Sequence, residues 1–356
     1  MNDGDLAVAT TTDQRNSAPS VLIVLMGSLG DVARGLSLVS HIKDGLPGSK
    51  VTWLIEPKWA QLVRVHPHID RVIVFNRPQG LSAVRDLCKD LSQEHFDISL
   101  DLQRHLKSGF FSLISRAKRR IGFHRRDAKE FNWLFNNEHL DYVGDELPKL
   151  RHYLKFTDRL GLSEPRSLDF GFSCLDLEST GPSDLGQIED PFVAVVIGSS
   201  WESKNWFLDH YCQLVRDILN SMGMYVVLVG HRQDTTLALR LSDSINAPGL
   251  INLVGKTSLL ELVAVLKAAA VGVGPDSGPG HLAAAVGTPY VSLFGPTAPA
   301  RTAPYGSEHL VVQSESDCAP CYKKRCPGLD RVCMRLISPE KVKEKLVEAL
   351  ASQGFA

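Results

Sequence analysis

The stretch that most narrows what this chain can fold into is residues 271–297, VGVGPDSGPGHLAAAVGTPYVSLFGPT. An apolar run, Val271 to Val273, breaks into the turn Gly274-Pro275-Asp276-Ser277-Gly278-Pro279-Gly280, and His281 to Val286 then has helix-forming composition. Gly287, Thr288 and Pro289 lead to a second strand, Tyr290 to Phe294. Strand, glycine-rich turn, short helix and strand is the grammar of an open α/β sheet. Gly278 and Gly280 let the backbone turn tightly and approach a ligand. A helix beginning near Pro279 aims its free amides and positive dipole end at one spot, which suits an anion. Asp276 and Ser277 add a carboxylate and a hydroxyl there. The same residues also describe an ordinary capped helix packed on its sheet.

The β-α alternation recurs along the chain. Val21 to Met26 is a continuous apolar run of the kind covered on both faces, and Gly27-Ser28-Leu29-Gly30-Asp31 turns it into a helix from about Val32 to Lys43. Strands at Val51–Ile55, Arg71–Phe75, Ile98–Leu102 and Arg120–Phe123 alternate with helices at Leu81–Leu91 and Leu106–Ser115. The second half repeats the plan, with strands from Phe192, Tyr225, Leu250 and Val271 and helices from Asp209, Leu237 and Leu259. Repeated β-α units give parallel sheets with right-handed crossovers. The expected fold class is therefore α/β, with two Rossmann-like domains facing across a cleft and ligands at the strand carboxyl ends. A polar tail over residues 1–20 precedes the first domain at 21–175. A Gly-, Pro- and Ser-rich linker at 176–191 leads to the second domain at 192–337. The last helix, at 338–356, starts with Ser338 as N-cap and Pro339 in the first turn.

Composition matters here for what it excludes. A net charge of −1 gives no global pull toward nucleic acid or a membrane. Residues 1–20 have no apolar core, so they are not read as a signal peptide. The most apolar helical run, Leu259 to Val273, carries Glu261 and Lys267 and is not read as a membrane span. These features point to the cytoplasm, where the seven cysteines would be reduced.

Several positions suit chemistry. Asp31 follows a buried strand and a G-x-x-G turn, where a carboxylate can take a proton from an attacking hydroxyl; it also fits as a helix cap. A dinucleotide site at the same turn, with Glu56 as the ribose acid, is the second reading. The spacing is not G-x-G-x-x-G, and Asp31 would repel a pyrophosphate. Ser199, Ser200 and Lys204 follow the first strand of the second half and suit a phosphate, as does an incidental surface loop. Asp234 fits a ribose contact or an exposed turn. Arg104, Lys107, Arg116, Lys118, Arg119, Arg120, Arg125 and Arg126 lie between Leu102 and Arg126 with no acidic residue among them. Such a stretch suits a polyanion or a solvated basic face; few aromatic residues interleave, which argues against single-strand nucleic acid. Cys318, Cys321, Cys326 and Cys333 form a loop cluster that suits packing thiols or a disulfide better than zinc, because the C-x-x-C is not doubled.

Together these landmarks resemble the bacterial lipopolysaccharide core heptosyltransferases of glycosyltransferase family 9. They are G-x-x-G-D at Gly27 to Asp31, D-x-Q-x-x-x-K-S at Asp101 to Ser108 and K-x-W at Lys204 to Trp206. G-K-T-S-L at Gly255 to Leu259 and D-S-G-x-x-H at Asp276 to His281 complete the set. The resemblance implies a GT-B architecture and metal-independent, inverting transfer of a heptose from ADP-L-glycero-D-manno-heptose to Kdo-lipid A or an already heptosylated core. It implies no cofactor, no nucleic acid partner and peripheral contact with the cytoplasmic face of the inner membrane. Asp31 would be the base. The donor would meet Ser199, Ser200, Lys204, Asp234, Lys256, Thr257, Asp276, Ser277, Gly278 and His281, and the anionic acceptor Gln103, Arg104, Lys107 and Arg120. The chain departs from the family where Ser37 and Phe207 replace prolines and Arg104 replaces a glycine. A Rossmann oxidoreductase using NAD(P), or a non-catalytic sugar-nucleotide-binding protein, are the rival readings.

Overall fold

The computed structural model describes residues 18–188 and 190–355; most of the tail expected at 1–20 lies outside them. The first sheet is built from β1 (Ser20–Val24), β2 (Lys50–Ile55), β3 (Arg71–Val74), β4 (Ile98–Asp101), β5 (Arg119–Gly122) and β6 (Glu138–His139). Its helices are α1 (Leu29–Gly45), α2 (Ala60–Arg64), α3 (Leu81–Ser92), α4 (Leu106–Ile114) and α5 (Lys149–Arg159). The connecting segment contains a short α6 (Leu177–Thr180). The second sheet comprises β7 (Phe192–Ile197), β8 (Tyr225–Gly230), β9 (Leu250–Asn252), β10 (Val271–Pro275), β11 (Tyr290–Phe294) and β12 (Val311–Gln313). With it go α7 (Leu208–Ser221), α8 (Thr235–Ile245), α9 (Leu259–Ala268), α10 (Gly278–Ala285), α11 (Pro299–Thr302), α12 (Val332–Arg335) and α13 (Pro339–Ser352).

Both sheets are parallel and six-stranded, and both have the doubly wound order 3-2-1-4-5-6, counting strands within each half. The fold is the expected α/β pair of Rossmann-like units. Strand alternation divides the core. Val21 and Ile23 of β1 face inward with Val32 of α1 and Tyr153 of α5. This cluster continues without a break through Val263 of α9 and Leu282 of α10 to Ala194 and Val196 of β7. Leu22 and Val24 face the other way, onto Leu87 of α3 and Phe111 of α4. Val193 and Val195 likewise turn outward onto α7 and α13. Shared apolar burial between the halves, at about 25 cal/mol per Å² removed from water, favours the closed cleft.

In each sheet the order reverses between the first and fourth strands, and crevices open at such points. The reversals are β1/β4 and β7/β10. The turns that leave these four strands carry the site. Regular structure extends beyond what periodicity marked: α2, α5, α6, α11, α12, β6 and β12 have no counterpart in the sequence reading. Of these, α5 matters most, because it lines the cleft.

Candidate active site

The N-termini of α1 and α10 meet across the cleft, and the approach is close enough to demand glycine. A Cβ on Gly30 would sit 2.5 Å from His281 Cδ2, and one on Gly278 2.5 Å from Leu29 Cδ2. Two positive dipole ends therefore converge on one place.

Asp31 stands in the first turn of α1. Its Oδ2 accepts from the Ser28 backbone N–H at 3.2 Å and from Ser28 Oγ at 2.9 Å, which closes the N-terminal turn. The N-cap is therefore Ser28, and Asp31 serves as the N3 acid of its capping box. The other oxygen, Oδ1, faces the cleft and accepts from Arg34 at 2.8 Å, Lys149 at 2.9 Å and Tyr153 at 3.2 Å. Burial alone would favour the neutral acid, but Lys149 and Arg34 outweigh it and hold the Asp31 carboxyl well below the usual carboxylate range. For Lys149 the balance reverses: burial, opposed by Asp31 and reinforced by Arg34, lowers the ammonium pKa. Two cations share one carboxylate, so the pocket is short of negative charge.

Arg34 also reaches the second domain, where its NH1 lies 2.5 Å from His281 Nε2. An arginine has only donors, so Nε2 accepts and the imidazole is neutral with its proton on Nδ1. Burial first, and Arg34 second, hold the His281 pKa well below its usual value. The charges that bear on this ring include Arg34, Asp31 and Lys149 on one side and Lys204 on the other.

The second half of the site is built at β7/β10. Lys204 donates to Asp276 Oδ2 at 2.6 Å and to the Asp276 carbonyl at 3.1 Å, and lies 4.7 Å from the Trp201 ring centroid. Thr297 Oγ1 donates to the same Oδ2 at 2.7 Å. Ser277 is the N-cap of α10 and its Oγ donates to the Pro275 carbonyl. Gly198 has a φ of +78°, and a Cβ there would lie 2.3 Å from Asp234 Oδ1. Asp234, whose pKa burial raises, accepts from the His231 backbone N–H at 3.1 Å. Ser199 is buried beside it, Ser200 is exposed, and Lys256 Nζ donates to the Asn252 carbonyl at the rim with Thr257 next in the chain.

The acceptor-side expectations fare unevenly. Gln103 spans the β1/β4 reversal: its Oε1 accepts from the backbone N–H groups of Met26 at 2.8 Å and Gly27 at 3.2 Å. Asp101 and Ser108 of the same motif both receive the Asn132 amide, at 2.6 and 3.2 Å, so much of that motif fastens the loop. Arg104 lines a cavity of about 100 Å³ beside Asp31, together with Gln103, His105, Lys129, Lys149, His152, Tyr153 and Arg301. Its φ of +73° lies in the left-handed region that favours glycine, the residue that the resemblance implies at this position. Lys107 lies over the Phe75 ring at 4.8 Å, with burial and then Arg77 lowering its pKa. Arg120 is not among the residues that line this cavity. It sits at the amino end of β5, away from the cleft, and its guanidinium donates to the carbonyls of Phe135 and Ala117 at 3.0 Å each. Arg119 and Lys118 are also committed elsewhere, to Glu138 and Asp97. The basic stretch is therefore not one face.

Sequence reasoning missed Arg34, Lys149, Tyr153 and Arg301. Arg34 had a signal, one helical turn from Asp31; Lys149 and Tyr153 had one too, spaced i,i+4 on one helix face. Arg301, drawn to Asp145 at 2.5 Å, had none. All four loop cysteines are free thiols, with Cys333 buried. Among the described residues no group of three or more His, Cys, Asp or Glu is placed to hold a metal ion.

Comparison with known proteins follows the same lines. The family model described as glycosyltransferase family 9 (heptosyltransferase) matches residues 84–330. The lipopolysaccharide core heptosyltransferase OpsX of Haemophilus influenzae is 28% identical over 309 residues, 83% of this chain and 84% of that protein. Lipopolysaccharide heptosyltransferase 1 of Pseudomonas aeruginosa is 29% identical over 320 residues, 86% and 87% of the respective chains. Among solved structures, E. coli heptosyltransferase WaaC with ADP superposes with a TM-score of 0.75 at 24% identity, covering 93% of this chain and 99% of that one. At that identity the likeness is one of fold, the GT-B arrangement.

Proposed function

This chain belongs to glycosyltransferase family 9, the heptosyltransferase family, and on that premise we propose that it moves a heptose from ADP-L-glycero-D-manno-heptose to the lipopolysaccharide inner core. The observation that carries the reading is the meeting of the two helix N-termini, with a cleft-facing carboxylate on one and a lysine-bearing anion site beside the other.

In this reading the first domain holds the acceptor and the second the donor. Asp31 takes the proton of the acceptor hydroxyl as its oxygen bonds to the anomeric carbon, and the bond from that carbon to the ADP oxygen breaks with inversion. The electron pair leaves on the diphosphate. Lys204 and the amides at Ser277 and Gly278 receive that charge, with Lys204 turning from Asp276 to the phosphate. Ser199 and Ser200 sit at the diphosphate, Asp234 at the ribose, Lys256 and Thr257 at the adenine. His281, neutral, spans the two halves. Arg104, Lys149 and Arg301 face the anionic acceptor, and an acceptor anion that draws Lys149 away leaves Asp31 a stronger base. Because that acceptor is lipid-linked, the protein works against the cytoplasmic face of the inner membrane; no helix among the described residues is long and apolar enough to cross one.

Calorimetric titration with ADP, UDP and NAD in parallel tests the donor class, and preference for UDP or NAD would overturn it. Asp31→Asn removes the base while keeping the shape. It is expected to lower transfer by at least about 10²-fold with ADP affinity nearly unchanged. Full turnover in that variant would refute the role.

A further inference from the structure

The outer surface of the first domain carries an apolar patch that stands exposed among the described residues. On α4, Leu106, Phe110 and Leu113 are 46%, 38% and 42% exposed, although the helix's other face is buried in the core. Their i, i+4, i+7 spacing puts them in one stripe. The segment after β5 packs on this helix. A Cβ at Gly109 would meet the Asn132 side chain at 2.8 Å, and Phe135 stacks edge-on to Phe110 at 6.4 Å between centroids. Glu130 accepts the Leu106 backbone N–H, which ties that segment to the start of the stripe. There Phe131 and Leu134 stand 69% and 61% exposed, one 3-10 turn apart. Soluble monomers rarely leave so many large apolar side chains together in water.

The surroundings say what covers it. Between residues 102 and 136 the chain carries nine lysines and arginines against two acids, Asp127 and Glu130, and six of the nine remain when Lys118, Arg119 and Arg120, which are turned to other partners, are set aside. Arg116 follows the stripe, Lys129 precedes Phe131, and Arg125 stands in the same loop, all exposed. An apolar patch in a basic setting matches an anionic bilayer surface, where side chains enter the headgroup boundary and cations meet lipid phosphates. The patch also adjoins the cleft: His105 and Lys129, each next to or near a patch residue in sequence, line the cavity beside Asp31.

We infer that Leu106, Phe110, Leu113, Phe131 and Leu134 form the surface by which the protein docks on anionic lipid. This rests on the glycosyltransferase reading only for its purpose, which is to bring a lipid-linked acceptor to the cavity at headgroup level. The test is co-sedimentation of the full chain with vesicles of phosphatidylcholine alone or with phosphatidylglycerol. The native protein is expected to bind the anionic vesicles at least tenfold more tightly, and F131S/L134S to bind them at least tenfold more weakly, as is Arg116→Glu. Both positions in the double variant are solvent-facing, so thermal unfolding should match the native protein. Transfer to an acceptor embedded in vesicles should fall in F131S/L134S, while transfer to a deacylated, water-soluble acceptor should not. Equal vesicle binding by native and variant protein overturns the inference. So does a change in sedimentation coefficient without lipid, which would make the patch a protein contact. Absence of transfer to either acceptor would defeat the enzymatic reading and leave the vesicle result standing.

Discussion

Lys149→Met tests the electrostatics of the site most directly. The ammonium lies 2.9 Å from Asp31 Oδ1, with side-chain exposures of 29% and 15% for the pair. An opposite charge at this distance depresses a carboxyl pKa by about 1–3 units, or about 1.4–4 kcal/mol. Arg34 stays in place at 2.8 Å, so the variant's carboxyl should rise toward the ordinary range without passing far above it. The assay is kcat/KM against pH, which reports groups of the free enzyme. The native enzyme should be flat through mildly acid pH, since Asp31 stays ionised there. In the variant an acid limb should move up by about 1–3 units. Lys149→Arg should keep the native profile. Stability follows the same sign. A carboxyl depressed in the folded state stabilises the protein above its unfolded pKa of about 3.9, and that contribution is lost as pH falls toward the folded value. The variant should therefore lose less stability than the native protein on acidification. An acid limb that does not move would refute the assignment of Lys149 as the cation that sets Asp31.

Two further substitutions probe the frame of the site. Gly30→Ala would ordinarily stabilise a helix, but here its Cβ overlaps the His281 ring at 2.5 Å. A loss of about 1–3 kcal/mol in thermal or urea unfolding is expected, and a gain in Tm would mean the halves are not apposed this way in solution. Gly198→Ala combines a φ of +78° with a 2.3 Å overlap on Asp234, and should cost more than about 1 kcal/mol. Adding Asp234→Ala should restore part of that loss and no more, because the backbone strain remains; full recovery would leave the positive φ without effect.

Much of the fold was legible because it is local. Phe192–Ile197 and Tyr290–Phe294 were delimited to the residue, since unbroken apolar runs bounded by glycine or proline have one reading. Ser338 and Pro339 begin α13 as their chemistry requires, with Ser338 Oγ accepting the Lys341 N–H. Other boundaries moved by a residue or more, as at α1, which starts at Leu29 because Gly30 and Asp31 are already helical. The segment between β5 and β7 was harder to read. There α5 shows its amphipathic pattern at Leu150, Tyr153, Leu154 and Thr157, among polar and charged neighbours that obscure it.

By itself the sequence determined which polar candidates follow which strands and which turns present them: Asp31 after β1, Lys204 after β7, Asp276 and Ser277 after β10. Those positions follow from alternation and turn composition, which act over a few residues. Only the tertiary structure decided what each carboxylate faces. Lys149 and Tyr153 reach Asp31 from more than a hundred residues away, and Lys204 reaches Asp276 from 72 away. It likewise decided that Arg119 turns to Glu138 and Arg120 to carbonyls outside the cavity lining, while Arg104, whose Nε donates to the Asp127 carbonyl at 2.6 Å, lines the cavity beside Asp31. The reason is that a side chain's electrostatic environment falls off over a few ångströms of space, and sequence distance says nothing about that until the sheets have stacked.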